Sequence, residues 1–256
     1  MPNRISLAEE ELLLQKLSKK VENCKICPRL TRYIRGTGRQ QTKKFMNQVY
    51  WAKPVPTFGD PKAKLLVIEL APAAHGGNRT GRIFTGDSSG DWLVRALYKT
   101  GFANKPTSVS RNDGLILRDA YLTTAVRCAP PNNKPNSSEI SNCSRYLLAE
   151  IKLLEKTTKV IVALGKIAFD TYCRISDIKG LKFGHNEIYA IRGDKTLVVS
   201  YHPSRRNTNT GTLTWQMWIN IFERARLIIK RKGRFTSPKQ RIKFQESTIK
   251  QIATTS

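Results

Sequence analysis

Short apolar runs alternate with longer amphipathic segments along most of the chain. Four short runs are rich in apolar residues, as expected for strands buried on both faces of a sheet. These predicted strands cover residues 64–70, 119–126, 160–164 and 197–201. Apolar residues at three- and four-residue spacing predict helices between and around them. The predicted helices cover 7–22, a segment from Ser88 or Ser89 to Gly101, a segment that begins at Asn136, a segment from Gly165 through Tyr172, and 215–229.

This alternation of strands and helices predicts an α/β fold with a mostly parallel sheet covered on both faces. The apolar periodicity fades beyond Gly233, and residues 230–256 carry eight Lys or Arg and one Glu. We therefore expect one domain over 1–229 and a basic tail over 230–256. The tail would contact DNA or a sliding-clamp-type partner, or be disordered.

The segment from Cys24 to Pro28 follows the first helix directly, and a basic, irregular region is predicted after it, through Arg35 and Lys43 to Trp51. Its Arg and Lys residues, interleaved with Tyr33 and Tyr50, indicate either contact with DNA or an ordinary solvated loop. The sequence leaves both alternatives open.

Charge narrows the choice of partner. The chain has 45 Lys and Arg against 19 Asp and Glu, a formal net charge of +26 and a pI near 10.2. This excess favours nucleic acid over an anionic membrane as the partner. A surface adapted to heat or salt would instead carry both signs in quantity. No apolar run approaches the ~20 residues needed to span a bilayer, and the N-terminus lacks a signal-peptide pattern, so we expect a soluble intracellular protein.

Five cysteines in a reducing compartment suggest a metal site or reactive thiols rather than disulfides. Cys24 and Cys27 form a C-x-x-C pair beside a proline, and Cys128 and Cys143 follow much later. Four thiolates from two distant segments suit either a tetrahedral zinc ion or a [4Fe–4S] cluster, and spacing alone does not separate them. Cys173, within a helix, is interpreted as a packing residue.

Two polar loops follow predicted strands. The first, 70–87, is glycine-rich and contains His75; the second, 202–214, begins with His202. Because the carboxyl ends of parallel strands share one edge of a sheet, the two loops should converge there. The first loop lacks the Lys-Ser/Thr pair of a nucleotide-hydrolysing loop, although the backbone amides of Gly76 and Gly77 would suit a phosphate or a developing anion.

These loops resemble the motifs of family 5 uracil-DNA glycosylases. The resemblance rests on LAPAAHGGNRTGR at 70–82, FTGD at 84–87, VRCAPPNNKP at 126–135 and HPSRRNTNTG at 202–211, and it covers roughly residues 20–229. It implies a three-layer α/β/α sandwich with a central, mostly parallel four-stranded sheet. It also implies a [4Fe–4S] cluster bound by Cys24, Cys27, Cys128 and Cys143.

The resemblance further implies a base-excision enzyme that extrudes a damaged nucleotide into a pocket. Phe84 would stack on the base, Ala73 would lie in the same substrate-binding loop, and His202 would hydrogen-bond the base carbonyl as the N-glycosidic bond breaks. Ser204 and the amides of Gly76 and Gly77 would hold phosphates. The residues expected to fill the gap in the duplex are Arg205, Arg206 and Asn207.

Departures from the pattern matter as well. Sister families place a carboxylate or Asn near the end of the first strand to direct water, whereas Leu70 stands there, as is typical of family 5. Asp87 is then the first candidate for orienting water or stabilising the sugar cation, unless it only caps the next helix. His75 and Asn78 are the alternates. Glu69 replaces the family's usual Gly and has no predicted role.

Thr124 occupies the place where a related iron–sulfur family has an Asn that reads the edge of uracil. Its presence predicts looser discrimination, with activity on uracil and on other deaminated bases such as hypoxanthine. No motif Lys supports Schiff-base chemistry, which predicts a monofunctional enzyme. The alternative is a non-catalytic, metal-stabilised DNA-binding protein. We expect a monomer that acts on double- or single-stranded DNA, in the cytoplasm of a prokaryotic-type cell and associated with the nucleoid.

Overall fold

The protein is described by a computed structural model that covers residues 6–231 of the 256-residue chain. The helices are α1 (Leu7–Glu22), α2 (Pro28–Arg39), α3 (Gly77–Thr80), α4 (Ser88–Lys99), α5 (Ser137–Leu153), α6 (Lys166–Ile175), α7 (Arg205–Asn209) and α8 (Trp215–Lys230). The strands are β1 (Phe58–Gly59), β2 (Leu65–Glu69), β3 (Ala120–Thr124), β4 (Val160–Leu164), β5 (Ile188–Ile191) and β6 (Lys195–Ser200). Short 3-10 turns occupy Lys43–Phe45 and Pro131–Asn133.

The strands form one sheet in the order β1-β3-β2-β4-β6-β5. The four central strands are parallel, and Val67 of β2 pairs with Leu122 of β3 and Val162 of β4. The edge strands β1 and β5 run antiparallel to β3 and β6. The predicted parallel core is confirmed, and the strand number is corrected from four to six. The two edge strands escaped prediction because β1 has only two residues and β5 is half-exposed, without a buried apolar run.

Helices cover both faces of the sheet, which confirms the three-layer α/β/α architecture. Successive residues of a strand point to opposite faces, so a strand buried on both faces feeds two cores. Val67 belongs to an apolar cluster with Leu97 of α4 and Phe222 of α8. Its neighbour Ile68 belongs to a second cluster with Phe169 of α6. The helices are thus fixed to the sheet from both sides, which gives the strand ends a rigid support.

Helix α2 lies inside the region predicted to be irregular, and that prediction is wrong for residues 28–39. Pro28 occupies the first turn of the helix, where the missing N–H of proline has no helical partner in any case. Leu30 and Ile34 are buried and anchor the helix. The basic residues around these two apolar ones, Arg29, Arg32 and Arg35, obscured the helical spacing.

The predicted tail lies almost wholly outside the described residues, since α8 ends at Lys230 and the description ends at residue 231. Between residues 6 and 231, none of the helices combines the length and the apolar character that crossing a membrane requires.

Candidate active site

The two predicted loops converge at the carboxyl edge of the sheet. Loop 70–87 leaves β2 and His202 follows β6, while β4 lies between these two strands. The chain passes from β2 to β3 on one side and continues to β4 and β6 on the other. The gap between β2 and β4 is therefore the topological switch point, where open α/β sheets bind their ligands.

The side chains of Glu69 and His202 meet across the end of β4. Glu69 Oε2 lies 3.4 Å from Nε2 of His202. The Glu69 side chain is 6% exposed and that of His202 is 28% exposed, so a buried carboxyl lies beside an imidazole that is itself mostly withdrawn from solvent. Gly165, which follows β4, allows this approach: it has φ +85°, and a Cβ there would come within 3.3 Å of the His202 Cβ.

Asp87 completes the cluster from the start of α4. Its Oδ1 accepts a hydrogen bond from the backbone N–H of Gly90 at 3.0 Å, so Asp87 is the N-cap of that helix. Its other oxygen faces Gly76, where any Cβ would overlap the carboxylate. The capping role considered from sequence is therefore real, and it places the carboxylate close enough to Glu69 to influence its ionisation.

The pKa values of Glu69, Asp87 and His202 all depart from their ordinary values. Burial lowers the pKa of His202 to about 4, so its imidazole is neutral near neutral pH. Burial, and then the charge of Asp87, raise the pKa of Glu69 well above its ordinary value. Burial also raises the pKa of Asp87, although hydrogen bonds from the Gly90 and Ser89 backbone oppose the rise. A neutral imidazole thus stands beside two carboxyl groups that compete for ionisation.

Phe84 lies in loop 70–87 with strained backbone geometry. Its φ is +51°, a left-handed conformation that is costly for a bulky residue. Its side chain is only 2% exposed and packs in the apolar cluster that lies between the sheet and helices α4 and α8. Such strain is retained where the surrounding structure over-determines a position, and it is typical of binding sites.

A buried arginine fixes the conformation of the same loop. Arg82 is 3% exposed, and its guanidinium donates hydrogen bonds to Thr85 Oγ1 at 2.9 Å, Ser108 Oγ at 2.9 Å and Asp113 Oδ2 at 2.7 Å. A buried cation is tolerated when its donors are satisfied in this way. Arg82 therefore holds the segment that carries Phe84 and Asp87.

The alternates for a water-directing residue have other contacts. Asn78 is fully buried, and its amide donates to the carbonyls of Ile34 and Ala74, both at 3.3 Å. That position ties the loop to α2 and leaves Asn78 without access to solvent. His75 is half-buried, and its Nδ1 lies 3.0 Å from Tyr50 Oη. His75 therefore joins the loop to the basic region before β1.

The segment after His202 is also ordered by its own side chains. Ser204 Oγ accepts a hydrogen bond from the backbone N–H of Asn207 and caps α7. The Asn207 amide donates to the carbonyl of His202 at 2.9 Å. This hydrogen bond holds the segment that follows β6 in its conformation. Arg205 Nε donates to Ser88 Oγ at 3.3 Å, and Arg206 is exposed.

The remaining substrate-binding candidates line the ends of β2 and β3. Thr124 is fully buried, and its hydroxyl donates to the carbonyl of Val126 at 2.9 Å. The carbonyl of Ala73 accepts the N–H groups of Gly76 and Asn78, which shapes the turn before α3. Gly77 is buried beneath that turn.

The structure brings the four predicted metal-ligating cysteines together. Cys27, Cys128 and Cys143 share one buried cluster, and no disulfide joins them. Burial, and then the nearby thiols of Cys143, Cys24 and Cys27, raise the pKa of Cys128 above its ordinary value. In the part of the chain that is described, no three His, Cys, Asp or Glu side chains are arranged to hold a metal ion. Cys173 lies apart in the second core cluster, as a packing residue would.

The sequence is also similar to known proteins. Residues 56–226 match the family model described as the uracil DNA glycosylase superfamily. The chain is 44% identical to the type-5 uracil-DNA glycosylase of Pyrobaculum aerophilum over 79% of this chain and 88% of that protein. It is also 44% identical to that of Thermus thermophilus over 79% and 92%, and 42% identical to that of Mycobacterium tuberculosis over 79% and 77%. The chain belongs to the type-5 uracil-DNA glycosylase family.

Membership in the type-5 uracil-DNA glycosylase family confirms the resemblance read from the motifs. The superfamily match includes the first loop and the segment that begins at His202, whereas the pair Cys24 and Cys27 precedes it. The chain is also 29% identical to the type-4 uracil-DNA glycosylase of Pyrobaculum aerophilum, over 75% of its length. The similarity to type-5 relatives is thus clearly the stronger one.

Sequence reasoning missed two residues of this type-5 site. From sequence, Glu69 is only a departure from the Gly that the family usually has. A carboxyl that ends a buried parallel strand at the switch point is itself a signal of a functional site. Gly165 is predicted only as the start of a helical segment, and its part in admitting His202 depends on the strand order. Neighbouring strands in this sheet are distant in sequence, so that contact has no local signature.

Proposed function

We propose that the chain is a monofunctional DNA glycosylase that extrudes uracil from DNA and hydrolyses its N-glycosidic bond, leaving an abasic site. The observation that carries the proposal is the neutral, partly exposed His202 at the switch point, with Asp87 nearby. Membership in the family supports the substrate class.

His202 would stabilise the departing base. As the bond from C1′ to the base nitrogen breaks, its electron pair moves onto the base, and negative charge collects on the carbonyl oxygen. A neutral imidazole N–H donates a hydrogen bond to that oxygen and lowers the barrier, because this bond strengthens as charge develops. The low pKa of His202 suits this task, since no proton need be lost before the imidazole binds the base.

Asp87 would act on the sugar side. Loss of the nucleobase leaves an oxocarbenium-like sugar. Water attacks this sugar at C1′, and the proton that the water loses passes to a general base. The Asp87 carboxylate faces Gly76 and is supported by the helix N-terminus, so it is held in one position. A fixed carboxylate both stabilises the cation and orients the water.

Phe84 would form the wall against which the base stacks. Its ring is 2% exposed and packed in the apolar cluster, so stacking requires loop 70–87 to uncover one face of the ring when the base enters. The buried hydroxyl of Thr124 donates to Val126, so it offers no paired donor and acceptor to the edge of uracil. We therefore propose activity on hypoxanthine and other deaminated bases in addition to uracil.

DNA would lie across the basic surface beside the site. An open pocket of about 540 Å³, lined by Arg35, Arg39 and Tyr50, adjoins the loop through the Tyr50–His75 contact. Arg205 and Arg206 project from α7 and would fill the space left by the extruded nucleotide. Ser204 and the amides of Gly76 and Gly77 would contact phosphates. We propose a monomer that acts on chromosomal DNA in a prokaryotic-type cytoplasm.

Cys24, Cys27, Cys128 and Cys143 would hold a [4Fe–4S] cluster. Each thiolate of such a cluster would bind a different iron, so the four sulfur atoms need not converge on a single metal ion. Nε and Nη1 of Arg127 are buried and have no hydrogen-bond partner among the described residues. Two unpaired cationic N–H groups beside Cys128 would suit a neighbouring anionic group such as the cluster. When bound, the cluster would supply a cross-link between α2, α5 and the segment after β3.

The decisive experiment uses a duplex with a single uracil. The protein is incubated with it, and abasic sites are then cleaved with alkali. We expect strand scission only after the alkali step, because a monofunctional enzyme does not cut the strand. A lack of scission across pH and temperature, with DNA still bound, would favour the alternative of a non-catalytic DNA-binding protein. A panel of single-lesion duplexes then tests hypoxanthine.

A further inference from the structure

Glu69 is a buried carboxyl to which the mechanism above gives no task. It ends β2 and is 4% exposed as a residue, where the register pairs it with Thr124 of β3. Its Oε2 is the one hydrogen-bond partner that the His202 imidazole has in the described part of the chain, at 3.4 Å from Nε2. A buried ionisable group needs a compensating partner, and His202 is the one at hand.

We propose that Glu69 is a positioning residue for His202, and that its carboxyl fixes the orientation and the tautomer of the imidazole that faces the departing base. The inference rests on the proposed function. The contact is longer than a well-formed hydrogen bond, as is common for catalytic groups in the absence of substrate. Which ring nitrogen carries the proton is set by the hydrogen bond that the other nitrogen makes.

The charges around Glu69 decide the direction of that hydrogen bond. Asp87 faces it from α4 and His202 from the segment after β6; Asp91 and Arg79 act on Asp87. Thr124 of β3 is uncharged. Burial, and then the charge of Asp87, raise the pKa of Glu69 and so favour its protonated form, whose O–H can donate to Nε2. The imidazole proton then resides on Nδ1, which is left to donate to the base.

Ionisation of Glu69 would remove the hydrogen bond that its O–H donates to Nε2 of His202. As pH rises through its raised pKa, the carboxyl loses its donor and places a negative charge beside the imidazole. That charge opposes the charge that develops on the leaving base. Activity should therefore fall as Glu69 ionises, which would form the alkaline limb of the pH profile, besides any loss of the His202 orientation.

The test combines kinetics with spectroscopy of the full chain. Glu69→Ala should lower kcat on a uracil duplex by about tenfold with KM little changed, because orientation affects the transition state more than binding. Glu69→Gln, whose amide also donates, should restore most of that loss at neutral pH and abolish the alkaline limb. Asp170→Asn, which changes an exposed carboxyl paired with Lys166, is the control and should match wild type.

Nitrogen NMR of the imidazoles supplies a readout that does not depend on activity. The chain has three histidines, so variants of His75 and His185 assign the signals of His202. We expect one dominant tautomer in wild type and in Glu69→Gln, and a mixture in Glu69→Ala. Identical His202 signals in all three, or equal kcat across pH in an active wild type, would overturn the inference alone. An inactive wild type would overturn the proposed function and leave the tautomer test intact.

Discussion

Asp87 and Gly76 face each other so closely that a side chain at position 76 would overlap the Asp87 carboxylate. This relationship changes the interpretation of the glycine-rich loop. Gly76 was expected to offer its amide to a phosphate, and the structure shows that it also makes room for a carboxylate. The same carboxylate caps α4, so one side chain combines a structural role with a proposed catalytic one.

Two substitutions of Asp87 separate those roles. Asn caps helices about as well as Asp, so Asp87→Asn should keep the thermal stability of the protein while uracil excision falls steeply. Asp87→Ala should lose the cap as well, at a cost of about 1 kcal/mol in the free energy of unfolding. Thermal unfolding and single-turnover excision measure the two effects. Full activity in Asp87→Asn would remove the carboxylate from the mechanism.

The pH profile of the wild type provides a second check on Asp87. Its ionised form is needed, and burial raises its pKa, so activity should fall on the acid side at a higher pH than an exposed Asp would give. Burial lowers the pKa of His202 to about 4, so its imidazole is neutral above that range.

His202→Ala should lower kcat about 10²–10³-fold, the usual effect of removing one donor to a developing anion. Binding to a uracil duplex should change little, because the contact strengthens only as the base departs. Single-turnover kinetics and fluorescence anisotropy give the two quantities. Unchanged turnover would show that another group stabilises the base.

The strands and most helices were predictable because their signals are local. Capping boxes at Ser6 and Asn136 mark the starts of α1 and α5, and the apolar run of β2 is evident by itself. The Glu69–His202 contact was not predictable, because it joins residues 133 positions apart through a strand order that local patterns do not encode. The hydrogen bond from Asn207 to the His202 carbonyl was not predictable either, because a backbone carbonyl as partner has no sequence signal.

Cysteine substitutions test the cluster with a matched control. Wild-type protein should be brown with about four irons per chain, and Cys143→Ser should lose iron and colour. Cys173→Ser changes another buried cysteine, which packs in a different apolar cluster, and should retain both. Metal analysis and visible absorbance measure the outcome. A colourless wild-type protein with one zinc would contradict the cluster.

Arg206 tests the proposed contact with duplex DNA. Its side chain is exposed on α7, unlike that of Asn207, which is held by His202. Arg206→Ala should reduce excision from duplex DNA more than from single strands, because only the duplex has a gap to fill. Lys166→Ala on α6 also removes an exposed charge and serves as the control. Equal losses on both substrates would reduce Arg206 to a general phosphate contact.

Glu69 should also leave a signature in stability. Its pKa in the folded protein lies above the unfolded value, so the folded state binds more protons and the free energy of unfolding decreases as pH rises through that interval. Glu69→Gln has no such proton to lose. The variant should therefore gain stability relative to wild type from about pH 4.5 upward, with little difference below it. Urea unfolding at several pH values measures the gap, and a gap that does not vary with pH would show that Glu69 ionises as freely in the folded chain as in the unfolded one.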